Sequence, residues 1–353
     1  MNWADLRQTR AFAVAARFAP GATVVLARLA SWLDGRAAGD ATAAQLETGF
    51  RRAFPDANRA TLAALRRGHR ASLYQGGVLL AHLRQLDQAG LRAYARKHVH
   101  YLDVDAMRHV AAHDGPVVLI TPHYGAYLPA SLRLIADVGP RKQFNVFFDD
   151  PADNASTVDY EPIYRRFGGP ATVLYNNRRA VVAALKALQR GEVLTMMPDV
   201  YDVAGNHVAV PFLGGLTHAM TGTAFFALRA NALLVPVYCH YTHGQDCVLD
   251  VQRPIPLSDS PDPDQALYET TAAIFANMEA QLRRRPAPWI YWSELERRFP
   301  CATRVPCDGD WAGQFRALLA ELRPHSPLPA HMLEELARRA DALGRGRRVP
   351  AVS

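Results

Sequence analysis

The chain has 353 residues, of which 49% are hydrophobic and 21% charged, and a net charge of +7. That composition excludes a disordered or fibrous chain, and the length suffices to bury a full-sized core in one large domain or two. The positive charge, carried mainly by arginine, favours anionic or phosphate-bearing partners; no zinc-finger spacing, RNA-recognition signature or basic-aromatic strip accompanies it, so nucleic acid is not expected.

Met1 to Arg10 is charged and does not read as a signal peptide. Ala11 to Leu33 is apolar and alanine-rich, but Arg17, Pro20 and Arg28 interrupt it. No run of about 20 uncharged residues remains to cross a bilayer, and a surface-lying or core helix is expected. Residues 3 to about 97 read as helices. Ala41–Ala53, Arg59–Tyr74 and Gly77–Ala89 each repeat apolar residues three or four apart, with arginines opposite. Phe54-Pro55-Asp56 separates the first two, and Asp56 or Asn58 can cap the second.

From Val99 the pattern changes to alternating strands and helices. Val117–Ile120, opened by Gly115-Pro116 and closed by Pro122, reads as a buried strand, and Tyr124–Ala136 as a helix. His123 therefore falls where a strand turns into a helix, the usual place for chemistry in an open α/β sheet. Gln143–Phe148, Ala171–Leu174, Val193–Met197 and Val208–Phe212 read as strands. Tyr160–Phe167, Arg178–Arg190 and Thr221–Arg229 read as helices, and Leu233–Tyr238 with Cys247–Val251 as a hairpin. The pattern predicts an α/β fold: a central mixed, mainly parallel sheet flanked by helices, with a helical N-terminal layer and a helical C-terminal appendage. The carboxyl ends of successive strands carry His123, Asp149-Asp150, Asn176-Asn177 and Asp199.

Cys239, His240, His243 and Cys247 are potential zinc ligands, yet they flank Gly244-Gln245-Asp246 as an ordinary hairpin would, and no metal is expected. With Cys301 and Cys307, the four cysteines make no disulfide framework, which suits a reducing cytoplasm. A helix from about Gln265 to Arg284 ends at Pro286, its Arg283-Arg284-Arg285 turn suiting the negative end of the helix dipole. Beyond it, helices near Trp311–Leu322 and Leu328–Leu343 precede a basic tail at residues 344–348. The expected division is a helical layer over 1–97, an α/β core over 98–300 and an appendage over 301–353.

Several segments come in a telling order: the strand, His123 and helix start; Leu185 to Val193; Pro198-Asp199; Val210-Pro211-Phe212-Leu213-Gly214; Thr221–Arg229; Val235-Pro236-Val237; Pro288-Trp289-Ile290-Tyr291-Trp292; and Arg297-Arg298-Phe299. This ordered set resembles the bacterial lipid A biosynthesis lauroyl/myristoyl acyltransferase family over most of residues 35–300. The resemblance implies an acyltransferase in which His123, as general base, deprotonates an acceptor that attacks an acyl thioester. It implies acyl carrier protein or coenzyme A as the thioester partner, with no other cofactor. It further implies Arg178 or Arg179 as a phosphate contact; Tyr124, Tyr127, Phe212 and Gly214 join these as candidate substrate contacts.

In that family the histidine is followed five residues later by Asp or Glu; here the position is Leu128, which can neither accept a hydrogen bond nor balance charge. Three explanations stand: Asp199, Asp149 or Asp150 takes over; His123 acts unassisted on a better nucleophile such as an amine; or catalysis is lost and the fold binds a lipid or biosynthetic partner. With Leu128, the charged breaks in the N-terminal segment and the unfamiliar C-terminal one suggest a specialised branch that acylates a small molecule or carrier-bound intermediate rather than lipid A, with a lipid or glycolipid acceptor also open. The expected location is cytoplasmic, soluble or peripheral on the inner face of the cytoplasmic membrane.

Overall fold

The structure, a computed structural model, describes residues 9–34, 41–152, 154, 157–200 and 207–295. The helices expected near 311–322 and 328–343, the basic tail, Cys301, Cys307 and Arg297 to Phe299 lie outside the described residues.

The N-terminal helices are α1 (Arg10–Phe18), α2 (Pro20–Asp34), α3 (Ala41–Ala53), α4 (Arg59–Leu83) and α5 (Gln88–His98). Pro20 starts a new helix, so the apolar stretch from Ala11 is two helices and not one. Asn58 caps α4, its side chain accepting from the Thr61 N–H at 2.9 Å. Contrary to the two helices expected over 59–89, α4 runs unbroken through Gly76 and Gly77. A Cβ on Gly76 would stand 3.0 Å from the Tyr241 hydroxyl, so the glycine permits a close approach and does not end the helix. Gln75, buried beside it, donates to the Gly244 carbonyl at 2.9 Å.

The α/β part contains β1 (Val99–Tyr101), α6 (Val104–Ala112), β2 (Val117–Ile120), α7 (Tyr127–Val138), β3 (Phe144–Phe148), α8 (Thr157–Phe167), β4 (Ala171–Tyr175), α9 (Arg178–Gln189), β5 (Val193–Met196), β6 (His207–Phe212), β7 (Gly215–Met220), α10 (Gly222–Ala230), β8 (Leu233–Tyr241), β9 (Cys247–Val251) and α11 (Pro263–Arg284). Of these, β1, α6 and β7 have no counterpart in the sequence reading. Seven strands form one sheet in the order β1-β9-β8-β2-β5-β3-β4. From β8 to β4 the pairings are parallel, and β9 returns antiparallel to β8 as the hairpin while pairing in parallel with β1. The fold class is the α/β arrangement expected. Helices cover both faces: Val118 and Ile120 of β2 enter the core shared with Phe50, Phe275 and Trp292, whereas Val117 and Leu119 enter the one shared with Leu132, Ile135 and Phe167.

His69 ties the helical layer to the segment after α11. Its Nδ1 donates to the Ala287 carbonyl at 3.0 Å, while Nε2 is buried without a hydrogen-bond partner. Burial pushes its pKa from 6.5 down to about 4. The unfolded chain takes up this proton near pH 6.5 and the folded chain only near 4, so stability is fully present above about 6.5 and falls as pH drops through that window. Chemical denaturation across pH 4 to 7 should show a loss of about 3 kcal/mol from this residue at full protonation. His69→Gln should flatten the slope by that share, leaving the part due to His240, which burial also lowers to about 4, and to His82, which burial lowers too; an unchanged slope would place the titration elsewhere.

Candidate active site

Parallel pairing of β2 with β5 sets Ile120 opposite Met196, and the Thr121 N–H extends the ladder by donating to the Met196 carbonyl at 2.8 Å. Three residues beyond these paired ends lie His123 on one strand and Asp199 on the other. Both segments leave the sheet at the same carboxyl edge, His123 through Pro122 and Asp199 in a turn after Pro198. Their side chains meet: His123 Nδ1 is 3.0 Å from Asp199 Oδ1.

Asp199 has no exposed surface. Its second oxygen, Oδ2, accepts from the His123 backbone N–H at 2.9 Å and from Trp289 Nε1 at 2.9 Å. Three donors converge on one buried carboxylate and fix its plane. The Nδ1 contact then selects the imidazole tautomer with hydrogen on Nδ1, leaving Nε2 as an acceptor. The His123 side chain is 17% exposed, so the ring is reachable while its partner is not. Tyr291 and Tyr127 flank it, with ring centroids 5.0 and 5.4 Å away.

The loop carrying His123 is clamped on both sides. Gly125 N–H donates to the Pro288 carbonyl at 2.9 Å, Ile290 N–H donates to the His123 carbonyl at 3.2 Å, and Ala126 N–H donates to the Cys239 carbonyl at 3.0 Å. The Tyr241 hydroxyl closes on the Gly125 carbonyl at 3.1 Å. Gly125 has φ +56°, and a Cβ there would stand 2.4 Å from the Cys239 carbonyl oxygen. Only glycine lets the loop turn this close to β8.

Beside this loop lies a cavity of about 180 Å³ between α4, the start of α7 and the segment around Pro288. Leu73, Leu79 and Leu83 of α4 form one wall, and Tyr127, Leu128 and Ile290 line the side towards the histidine. Leu128 is thus a cavity wall 3% exposed, remote in chemistry from the carboxylate of the resembling family. Burial, with Tyr160 stacked at 5.6 Å, holds the Tyr127 phenol well above its ordinary range, so it stays protonated.

The other candidates fall elsewhere. Asp149 is two strands from β2, about 10 Å in sheet spacing, and its carboxylate accepts from Asn154 Nδ2 at 2.8 Å. Asp150 accepts from the Ala152 N–H at 2.9 Å. Among the described residues neither bonds to His123, so of the three carboxylates expected at this edge only Asp199 reaches the ring. Tyr124 is buried in the core: its hydroxyl donates to the Arg285 carbonyl at 2.7 Å and accepts from Gln281 at 3.1 Å, which makes it an anchor and not a substrate surface. Phe212 is likewise buried, edge-on to Phe275 and Trp289. Gly214 occupies a turn with φ +74° where a Cβ would lie 2.8 Å from the Arg52 carbonyl oxygen. Arg178 and Arg179 open α9 beyond β4, the far edge strand, about 14 Å along the sheet from β2. There Asn177 already accepts from the N–H groups of Arg179 and Ala180, at 2.9 and 3.0 Å, occupying donors an anion would need. The residue the sequence reading missed is Trp289, which stands out there only as part of the aromatic run Pro288 to Trp292 and not as a site residue.

Comparison with known proteins adds two findings. The family described as bacterial lipid A biosynthesis acyltransferase matches residues 20–299. Among solved structures, the chain is similar to the 1-acyl-sn-glycerophosphate (LPA) acyltransferase PlsC from Thermotoga maritima, at 11% identity and a TM-score of 0.32, covering 67% of this chain and 89% of that one. No curated protein matches.

Gly125→Ala should destabilise the protein by more than the roughly 1–3 kcal/mol of a left-handed non-glycine residue, because overlap with the Cys239 carbonyl adds to the strain. Gly244 has φ +58° but open space around its Cβ position, so Gly244→Ala should cost only the backbone strain. Denaturant midpoints compare the two; equal losses would show the His123 loop free to shift.

Proposed function

This chain belongs to the bacterial lipid A biosynthesis acyltransferase family, and from that premise we propose that it moves an acyl group from an acyl carrier protein or coenzyme A thioester to a hydroxyl or amine acceptor. His123 is the general base. The observation that carries this reading is the contact of His123 Nδ1 with the fully buried Asp199 Oδ1 at 3.0 Å. With Nδ1–H committed to Asp199, Nε2 takes the acceptor's proton as its oxygen or nitrogen attacks the thioester carbonyl. A tetrahedral intermediate forms, its C–S bond breaks, and the proton on Nε2 passes to the leaving thiolate. Asp199 remains ionised throughout and stabilises the imidazolium formed between the two transfers. Trp289 and the His123 backbone hold that carboxylate in place.

In this reading Asp199 does the work that the family assigns to the carboxylate five residues after the histidine. Leu128 is then free to be apolar, and the cavity it lines takes the acyl chain of the donor. The acidic surface of a carrier protein suits a chain of net charge +7. The acceptor is a lipid or glycolipid, or a biosynthetic intermediate of comparable chemistry. The reaction belongs in the cytoplasm, free or at the inner face of its membrane.

Thioester turnover with a panel of carrier-protein and coenzyme A donors, and sugar, lipid and amine acceptors, tests the assignment. His123→Ala should lower the transfer rate by about 10²- to 10⁴-fold. Asp199→Asn should lower kcat by at least about 10²-fold with little change in KM, because it alters the tautomer and not the binding surface. Wild type and His123→Ala that bind acyl ligands alike and are equally inert would identify a fold kept for binding. Leu128→Phe should raise KM for long-chain donors while leaving kcat with short-chain donors nearly unchanged; equal loss for all chain lengths would remove the cavity from the acyl site.

A further inference from the structure

The cavity beside the His123 loop is bounded by side chains with little room to give way. Leu79 and Leu83 of α4 and Leu128 of α7 line it and are almost fully buried in the core behind. Tyr127 is stacked on Tyr160 at 5.6 Å. Tyr241, also in the lining, is fixed by its hydrogen bond to the Gly125 carbonyl at 3.1 Å, and a Cβ on Gly76 would stand 3.0 Å from the same hydroxyl. Walls packed this closely admit a larger guest only by forcing side chains off their rotamers, so the volume of about 180 Å³ acts as a limit. Leu73 is 40% exposed, so among the described residues the cavity opens to solvent on the α4 side.

Position and lining say what fits. The Tyr127 ring centroid stands 5.4 Å from that of His123, and Tyr127 and Leu128 both line the cavity. A thioester carbonyl held at His123 Nε2 therefore has this space beside it for its substituent. Among the described residues no lining side chain is charged, which leaves a charged guest without partners and favours an apolar one. A cavity of about 150 Å³ suffices for one benzene ring, roughly 25 Å³ per carbon, so this one holds about seven carbons. A lauroyl group has about eleven beyond its carbonyl and at that scale needs roughly 275 Å³. The surplus would run out past Leu73 into water, where it gains little.

We propose that the acyl group this site takes is short and apolar, of about eight carbons counting the carbonyl, and that Leu80, Leu83, Tyr127 and Leu128 set that limit. The lauroyl and myristoyl groups of the resembling family are longer than the cavity holds. That the guest is an acyl group rests on the transfer reading above; its size rests on the walls.

The test is a chain-length series of N-acetylcysteamine thioesters, butanoyl to dodecanoyl, titrated into the full chain without acceptor and read by calorimetry. Kd should fall about fourfold with each added carbon up to octanoyl. From octanoyl to dodecanoyl it should change by less than about twofold, since the added carbons lie outside the walls. Leu80→Ala removes about three carbons from the lining and should carry the fall in Kd on by about as many before it levels. Should that variant not fold, the series on the wild-type chain still decides. A Kd that keeps falling about fourfold per carbon through dodecanoyl overturns the proposal. So does a Kd indifferent to chain length from butanoyl onward, which would put the acyl group outside the cavity. Turnover of the same donors with an acceptor separates the size limit from the transfer reading. A chain that shows the levelling profile and transfers nothing upholds the limit and overturns the transfer; one that transfers, with kcat/KM still rising through dodecanoyl, does the reverse.

Discussion

An ionised carboxylate withdrawn from water costs several kcal/mol unless its oxygens are taken up by donors. Asp199 meets that condition with three N–H groups within 3.0 Å, and those donors come from separate parts of the chain. Two belong to His123, which follows β2; the third belongs to Trp289, which follows α11. Satisfying one buried charge therefore draws together a strand, its neighbour in the sheet and the segment that closes the domain. The clamps around Gly125 follow from it, since the backbone N–H of His123 reaches Asp199 only if the loop turns as tightly as Gly125 allows. Loss of a donor would leave part of a buried charge unpaired, which is why the surroundings of this pair are so heavily cross-bonded.

Much of this arrangement was legible in the residues. The β-branched run Val117 to Ile120, its bounding prolines and the apolar periodicity after it place His123 at a strand's carboxyl end. The alternating pattern from Gln143 to Arg229 places Asp199 at the same edge. Strand order was not legible. Position along the chain makes Asp149, not Asp199, the nearer acidic candidate after His123, and only insertion of β5 between β2 and β3 reverses that. Long-range pairing of this kind leaves no local signature, because every strand in a parallel sheet reads as the same apolar run. Helix continuity at Gly76 and Gly77 was hidden for a related reason: the Tyr241 hydroxyl that makes a small residue useful there lies 165 positions away in sequence.

Leu128 lies in the wall of the cavity beside the His123 loop. A carboxylate at that position would sit in the wall of a cavity lined mostly by leucines, tyrosines, glycines and prolines, where a buried charge finds few donors. With Asp199 already bonded to Nδ1, the imidazole has no further nitrogen on that side to offer. Leucine costs nothing of this kind, and it extends the apolar wall towards the histidine.

The Trp289 bond to Asp199 joins residues 90 positions apart. The seven strands all end by Val251, so they can leave the ribosome and pair before that indole does. A growing chain thus has His123 and Asp199 side by side while the carboxylate still lacks a donor and the loop lacks its outer clamp at Pro288. The last of the three donors arrives with the segment after α11. A chain stopped short of Trp289 would keep its core strands with Asp199 one donor short.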